Sequence, residues 1–186
     1  MEKVIIGKSF MRVSAAIIAG ALVNDKPNYL TIGACGAMSI DPTIVYISVN
    51  KAHYTNAGIK ENGYFSLNLP SKDLVKKTDY IGIVSGKDTD KSTVFKAFYG
   101  SVKKAPMAEE CPINMLCKVV NTIDLPRNEV FIGEIIETYI NKDYIVNGKP
   151  DFKKINPLVL AGSNYWELGE ILGKTYTEGK ALIQSK

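Results

Sequence analysis

The five residues Lys51-Ala52-His53-Tyr54-Thr55 bring an amine, an imidazole, a phenol and a hydroxyl together where the β-branched run Ile44 to Val49 gives way to helix formers. A strand that feeds into a helix start exposes unpaired backbone N–H groups at the positive end of the helix dipole. An ammonium and a hydroxyl beside them suit a phosphate monoester. The same residues also fit a plain helix start, with Thr55 as the cap and Lys51 solvated. A second candidate is Thr31-Ile32-Gly33-Ala34-Cys35-Gly36, where small residues leave backbone N–H and C=O groups open to the edge of a planar heterocycle. Its alternative is a bulge at a barrel corner.

Other chemistries are thinly supplied. His53 is the only histidine, so any Ser-His-Asp or Cys-His scheme would have to use it as the base. Cys35, Cys111 and Cys117 cannot all pair, and with neither Cys-x-x-Cys nor a Cys/His cluster present no metal site or disulfide framework is expected. Nothing close to Cys35 in the chain lowers its pKa, which favours packing over thiol chemistry. A phosphate loop ending at Gly86-Lys87 would need glycine where Ile81 stands and Ser or Thr where Asp88 stands. No Gly-x-Gly-x-x-Gly follows a strand, which excludes a Rossmann site. Asn68, inside the apolar run Phe65 to Pro70, requires a specific partner from backbone or ligand. Tyr165 and Trp166 fit either stacking on a flat ligand or closing a core.

The elements that must position these groups are mostly strands. Ala15 to Val23 predicts a strand, Asn24 to Asn28 a turn, and about Tyr29 to Cys35 a second strand that loses regularity at Gly33. Asp41-Pro42 is a turn before a third strand, Ile44 to Val49, apolar on both faces. A short helix over Asn56 to Asn62 would end at Gly63, followed by a strand at Tyr64 to Leu69. Ser71 reads as the cap of a second helix with Leu74, Val75, Thr78 and Ile81 on one face. Gly82 to Gly100 reads as an exposed excursion. Met115 to Ile123 and Val130 to Tyr139 form a hairpin around Asp124 to Asn128, with apolar groups on both faces that suggest a covering layer or a second subunit. Tyr144 to Val146, a turn at Asn147 to Pro150, and Leu158 to Leu160 complete the pattern. Helical crossovers after the strands are missing, so the fold class is mainly β: a small antiparallel barrel with a few helical insertions.

The 186 residues, 46% hydrophobic and 23% charged, fit one globular domain over 1–186, with 163–186 a C-terminal extension. The net charge of +4 is spread over scattered lysine pairs, unlike a nucleic-acid surface. No apolar run approaches the roughly 20 residues of a spanning helix, and Val4-Ile5-Ile6 is too short for a secretory signal. A cytoplasmic protein without membrane or nucleic-acid partners is expected.

Together these segments resemble the flavin reductase-like, FMN-binding split-barrel family, and within it the flavoredoxin-like branch. The matching pieces run from about Ala15 to Gly169: Asn28-Tyr-Leu-Thr31, Ser39-Ile-Asp-Pro42, Ile47-Ser-Val-Asn50-Lys51 with Tyr54-Thr55, and Ile59 to Pro70. They continue with Gly82-Ile-Val-Ser-Gly86 followed by Asp90-Lys91, Cys111-Pro-Ile-Asn114 and Phe131-Ile-Gly-Glu134. The resemblance implies an FMN-binding homodimer on an antiparallel split β-barrel. Thr31, Ile32, Gly33, Ala34, Cys35 and Gly36 would line the isoalloxazine and ribityl chain. Asn50 adjoins Lys51, Tyr54 and Thr55, which would hold the phosphate, and Ser85, Gly86 and Lys91 would lie near the flavin. The Gly33-Ala-Cys-Gly36 run departs from many relatives, in which a bulkier aromatic or polar residue is common.

The function so implied is an oxidoreductase passing hydride or electrons through flavin N5, from NAD(P)H or a small reduced protein to an acceptor. The flavin carries the chemistry, so no catalytic acid or base is expected. The alternative is a non-catalytic flavin carrier or sensor acting through a dimeric partner surface.

Overall fold

The computed structural model describes residues 1–8 and 12–183. Strands β1 (Val13–Ala15), β2 (Ile17–Val23), β3 (Lys26–Ile32), β4 (Cys35–Ser39) and β5 (Ile44–Asn50) precede helix α1 (Tyr54–Asn62) and strand β6 (Tyr64–Leu69). A 3₁₀ turn at Lys72–Leu74 runs into α2 (Val75–Ile83). The pair β7 (Ala97–Phe98) and β8 (Met107–Ala108) precedes the long hairpin β9 (Ile113–Asp124) and β10 (Asn128–Ile140). The small hairpin β11 (Ile145–Val146) and β12 (Lys149–Pro150), α3 (Phe152–Ile155), β13 (Val159–Ala161), β14 (Asn164–Trp166) and α4 (Lys180–Ile183) complete the chain. Among the described residues no helix is long and apolar enough to cross a membrane.

The main sheet is antiparallel with strand order β3-β2-β6-β9-β10-β5-β4. It curls so that alternate residues meet inside: Ile17, Ala19 and Ala21 from β2, Leu30 and Ile32 from β3, Val45, Ile47 and Val49 from β5, and Phe65, Cys117 and Phe131 from the strands between. Gly133 lets β10 lie flush on the Phe65 ring, since a Cβ there would collide with it. Edge strands β3 and β4 do not pair, so the barrel is open on one side. The outer face of β2 and β3 carries Ile18 and Tyr29, which pack with Ile81 of α2, Phe95, Ala108 and Cys111. A mainly β, split antiparallel barrel with few helices is the observed architecture.

Local chemistry explains most boundaries. Asn24 and Asp25 both have positive φ (50° and 60°) and form the two-residue loop that joins β2 to β3. Pro27 lies within β3, opposite Leu22, although prolines usually end ladders; β3 is an edge strand, where a missing N–H is tolerated. Gly63, at φ 69°, closes α1 through its N–H to Ile59 O. Asn68 finds protein partners only: its amide donates to Ile18 O and Ser66 Oγ, and its carbonyl accepts from Ala108 N and the Asn114 amide. It is a structural residue of the outer face.

Two expectations change. Tyr29 to Cys35 is not one strand: the chain leaves β3 at Ile32 and crosses at Gly33-Ala34 to β4, at the opposite edge of the sheet. The segment after α2 is not simply exposed, because Lys91 and Phe95 within it are 3% and 2% accessible and anchor it to the barrel.

Candidate functional site

At the open side of the barrel, the Gly33-Ala34 crossing is fixed by backbone groups: Gly33 O accepts from Ser14 Oγ at 2.9 Å, and Ala34 O accepts from Ser48 N at 2.8 Å. A cavity of about 240 Å³ opens between this crossing and the end of β5, with Thr31, Ala34, Asn50, His53 and Asn128 in its wall. Asn50 and Asn128 face each other across the β5–β10 ladder, and the Asn128 amide donates to Ser48 Oγ at 2.9 Å. A side chain at Gly33 would run into Arg12 and Leu160, so the small residue keeps this corner tight.

From Asn50 the chain turns into α1. Asn50 Oδ1 accepts from Ala52 N at 2.9 Å, and His53 N donates to Asn50 O at 3.0 Å. His53 occupies the cap position with an extended backbone, without a side-chain cap bond, and the first turn carries no acidic residue. This nine-residue helix therefore offers its N-terminal dipole end uncompensated. Lys51, His53, Tyr54, Lys60 and Lys87 surround a second cavity of about 540 Å³ at this point. Two of its cations are already engaged, Lys51 by Asp124 at 2.5 Å and Lys60 by Glu129 at 2.8 Å.

Beyond Tyr54 lies a third cavity of about 420 Å³, walled by Asn24, Asn28, Tyr54, Gly86, Asp90 and Lys91. Tyr54 divides it from the second, its hydroxyl accepting from the Asn24 amide at 3.0 Å. Gly86 packs so closely against Asn28 and the Tyr54 ring that a Cβ would overlap both. Lys91 is nearly fully buried, and its ammonium donates to Ile81 O at 2.7 Å and Tyr29 O at 3.1 Å. Among the described residues no carboxylate pairs with it. Desolvation brings its pKa down from the ordinary lysine value to about 8. His53 is lowered too, by desolvation first and then by the Lys91 charge.

The three cavities adjoin as an interrupted groove, with His53 in the walls of the first two and Tyr54 and Lys87 in the walls of the last two. Of the residues expected from the sequence, Thr31, Ile32, Gly33, Ala34, Asn50, Lys51, Tyr54, Gly86 and Lys91 border it. Thr55 does not. It is 1% accessible beneath the groove, and its Oγ1 accepts from the Asn28 amide at 2.6 Å rather than capping α1. Cys35 and Gly36 sit on β4 beyond the crossing; the Cys35 thiol packs against the barrel interior and burial raises its pKa, while Gly36 lies against the Tyr46 ring. Ser85 stands outside the wall and organises the loop, accepting from Lys87 N through Oγ and from Asp88 N and Thr89 N through its carbonyl.

Sequence reasoning missed Asn24, Asn28, Lys87 and Asn128. The positive-φ turn chemistry at Asn24 was visible, but its reach to Tyr54 was not. Asn128 could be found only from the β5–β10 register. Tyr165 and Trp166 are occupied elsewhere, donating to Asp79 and Ala161 O, and do not reach the groove. A more apolar cleft of about 730 Å³, between the β11–β12 hairpin and residues 168–171, contains none of the expected residues.

What this geometry can do is hold an elongated ligand, planar at the crossing and anionic near the α1 start and Lys91. Residues 11–169 match the model of the flavin reductase like domain. The chain is similar to the crystal structure of flavoredoxin from Methanosarcina acetivorans, with 43% identity and a TM-score of 0.95, covering 98% of this chain and all of that one. Flavoredoxin of Desulfovibrio vulgaris (Miyazaki F) gives 29% identity and a TM-score of 0.89, over 96% of this chain and all of that one. An FMN-binding protein from Thermus thermophilus, at 16% identity and a TM-score of 0.79 over 94% and 97% of the two chains, shares the fold.

Proposed function

Because the chain belongs to the flavin reductase like domain family, we propose that it is an FMN-dependent oxidoreductase of flavin reductase or flavoredoxin type. The observation that carries this reading is the groove itself, which leads from a crossing with small side chains to an uncapped helix start and a buried, carboxylate-free ammonium. The residues present fit FMN: a planar ring system needs the cavity between the crossing and the end of β5, and a phosphate needs a positive feature such as the α1 start or Lys91. Bound FMN would supply a hydride acceptor at N5, which no side chain can provide.

The protein's own groups then bind and orient. Thr31 to Ala34 and Asn50 line the place for the ring system, and Cys35 and Gly36 shape the crossing from behind. Tyr54, Gly86 and Lys91 border the place for the phosphate, with Lys51 in reach through the second cavity. Thr55 supports this end from below by fixing Asn28, and Ser85 does so by ordering the 85–89 turn. None of these roles is acid or base catalysis, and none falls to His53.

We read the working unit as a homodimer in the cytoplasm, fed by NAD(P)H or a small reduced protein. Ile136, Tyr139, Leu168 and Ile171, all exposed in the single chain, support a second copy as a covering partner. Residues 1–186 then form one domain, with 163–186 as its extension. The test is spectroscopic. The purified protein should show a flavin absorption band, on its own or after FMN is added, and the band should bleach on anaerobic mixing with NADH, NADPH or a reduced ferredoxin-type protein. A colourless protein that takes up no FMN overturns the reading. Bound FMN that no donor bleaches makes the protein a carrier.

A further inference from the structure

Lys91 has an unusual set of partners. A charged amine has three N–H donors and a neutral one has two. Two donors of Lys91 are taken by Ile81 O on α2 and Tyr29 O on β3, and among the described residues the third has no acceptor. A neutral amine would satisfy both carbonyls with nothing left over. The flavin-free fold thus loses no hydrogen bond when this proton leaves. Lys91 is also in the wall of the 420 Å³ cavity, and an anion there within reach of the ammonium would give the third N–H an acceptor and the charge a counterion.

Resting on the FMN reading above, we propose that flavin binding is linked to proton uptake at Lys91, the phosphate holding this buried amine in its charged form. The affinity is then full wherever the flavin-free protein already carries the proton, and it falls as pH rises beyond that range. With the free amine titrating near pH 8, the fall begins there. The phosphate itself is fully ionised in this window, its second pKa being about 6.

Neighbouring groups do not produce the same signal. His53, from the turn before α1, is neutral well below pH 8. On the lysine's own segment, Asp90 is held ionised by Ser92 and pairs with Lys26 of β3 at 3.6 Å. Lys87 and Asp88 stand at the cavity wall, with Tyr54 opposite from α1. The Tyr29 phenol of β3 is buried against Phe95 and stays protonated. On α2, Lys77 pairs with Glu110 and Asp79 accepts from Tyr165.

The experiment is a titration of the full-length protein with FMN and, separately, with riboflavin, followed by flavin fluorescence between pH 7 and 9. Isothermal titration at pH 8 in two buffers of different ionisation enthalpy counts the protons. The Kd for FMN should rise about tenfold from pH 7 to 9, as one proton with a pKa near 8 requires. About half a proton should be taken up per FMN at pH 8. Riboflavin, lacking the phosphate, should bind more weakly and with no such slope. Lys91→Arg should keep affinity and flatten the profile, and Lys91→Met should be weak and flat; His53→Gln should retain the slope. A flat FMN profile, a slope shared by riboflavin, or a slope that survives in Lys91→Met overturns the linkage while leaving the flavin site intact. If neither Lys91 variant folds, the riboflavin comparison and the proton count on the unaltered protein decide the question. Failure to bind FMN at any pH overturns the functional reading itself.

Discussion

The amide of Asn28 donates to the hydroxyl of Thr55 at 2.6 Å, with both residues about 95% or more buried, and so ties edge strand β3 to the first turn of α1 directly under the groove. Thr55→Val keeps the shape of that side chain and removes the acceptor, leaving a buried amide hydrogen unpaired. The expected loss is about 1–3 kcal/mol of stability, measured by chemical denaturation. A loss below about 0.5 kcal/mol would show that the bond does not hold the two elements together.

Gly86 is pressed between Asn28 and the Tyr54 ring. Gly86→Ala must push the 85–89 turn outward from the third cavity, because neither neighbour is the loose end of a long side chain. FMN affinity should fall about tenfold or more, followed by fluorescence quenching, while the melting temperature changes little for a surface turn. An alanine variant that binds as tightly as the parent would remove this turn from the site.

Lys51 and Asp124 form a partly exposed ion pair at the mouth of the second cavity. If Lys51 turns to the phosphate, Lys51→Gln should weaken FMN binding about tenfold, the order expected of one charge-assisted hydrogen bond. Asp124→Asn should leave binding unchanged or tighter, because it frees the amine from its competitor. As a stability contact the pair contributes no more than about 1 kcal/mol. Equal weakening by both substitutions would mean that the pair, rather than the amine, matters.

His53 is held below its ordinary pKa by desolvation and by Lys91, so the fold disfavours its protonated form. In the window between its folded value and about 6.5, the unfolded chain binds more protons than the folded one, and stability rises with pH. Its contribution is therefore complete above pH 6.5 and is lost on acidification. His53→Gln should reduce the acid sensitivity of the melting temperature between pH 5 and 7 while turnover of the FMN-loaded protein persists. Complete loss of turnover in a folded, flavin-loaded variant would give His53 a catalytic part.

Cys111 and Cys117 are 1% and 0% accessible, and burial pushes both thiols up, Cys117 to about 12. Cys35 is half-buried and raised less. Alkylation of the native protein at pH 8, read by peptide mass spectrometry, should label Cys35 slowly and the other two only after unfolding. Rapid labelling of Cys111 or Cys117 would mean that the sheets open in solution.

Local chemistry in the chain was enough to place β6, framed by Gly63 and Pro70, the β9–β10 hairpin around its polar turn, and the end of α1 at Gly63, because each depends on residues a few positions apart. It was also enough to mark Lys51 to Thr55 as the start of a helix. The tertiary structure decided the rest. Whether Ile32 and Cys35 share a strand depends on which neighbours pair with them, and β2 and β5, 27 residues apart in their first positions, take one each. Lys91 follows Lys87-Asp88-Thr89-Asp90 and reads as solvated, yet α2 and β3 close over it and supply two carbonyls. Thr55 reads as a cap, yet Asn28 of edge strand β3, 27 residues earlier in the chain, claims its hydroxyl. Burial and hydrogen-bond choice are set by whatever packs opposite, and that is fixed only when distant segments meet.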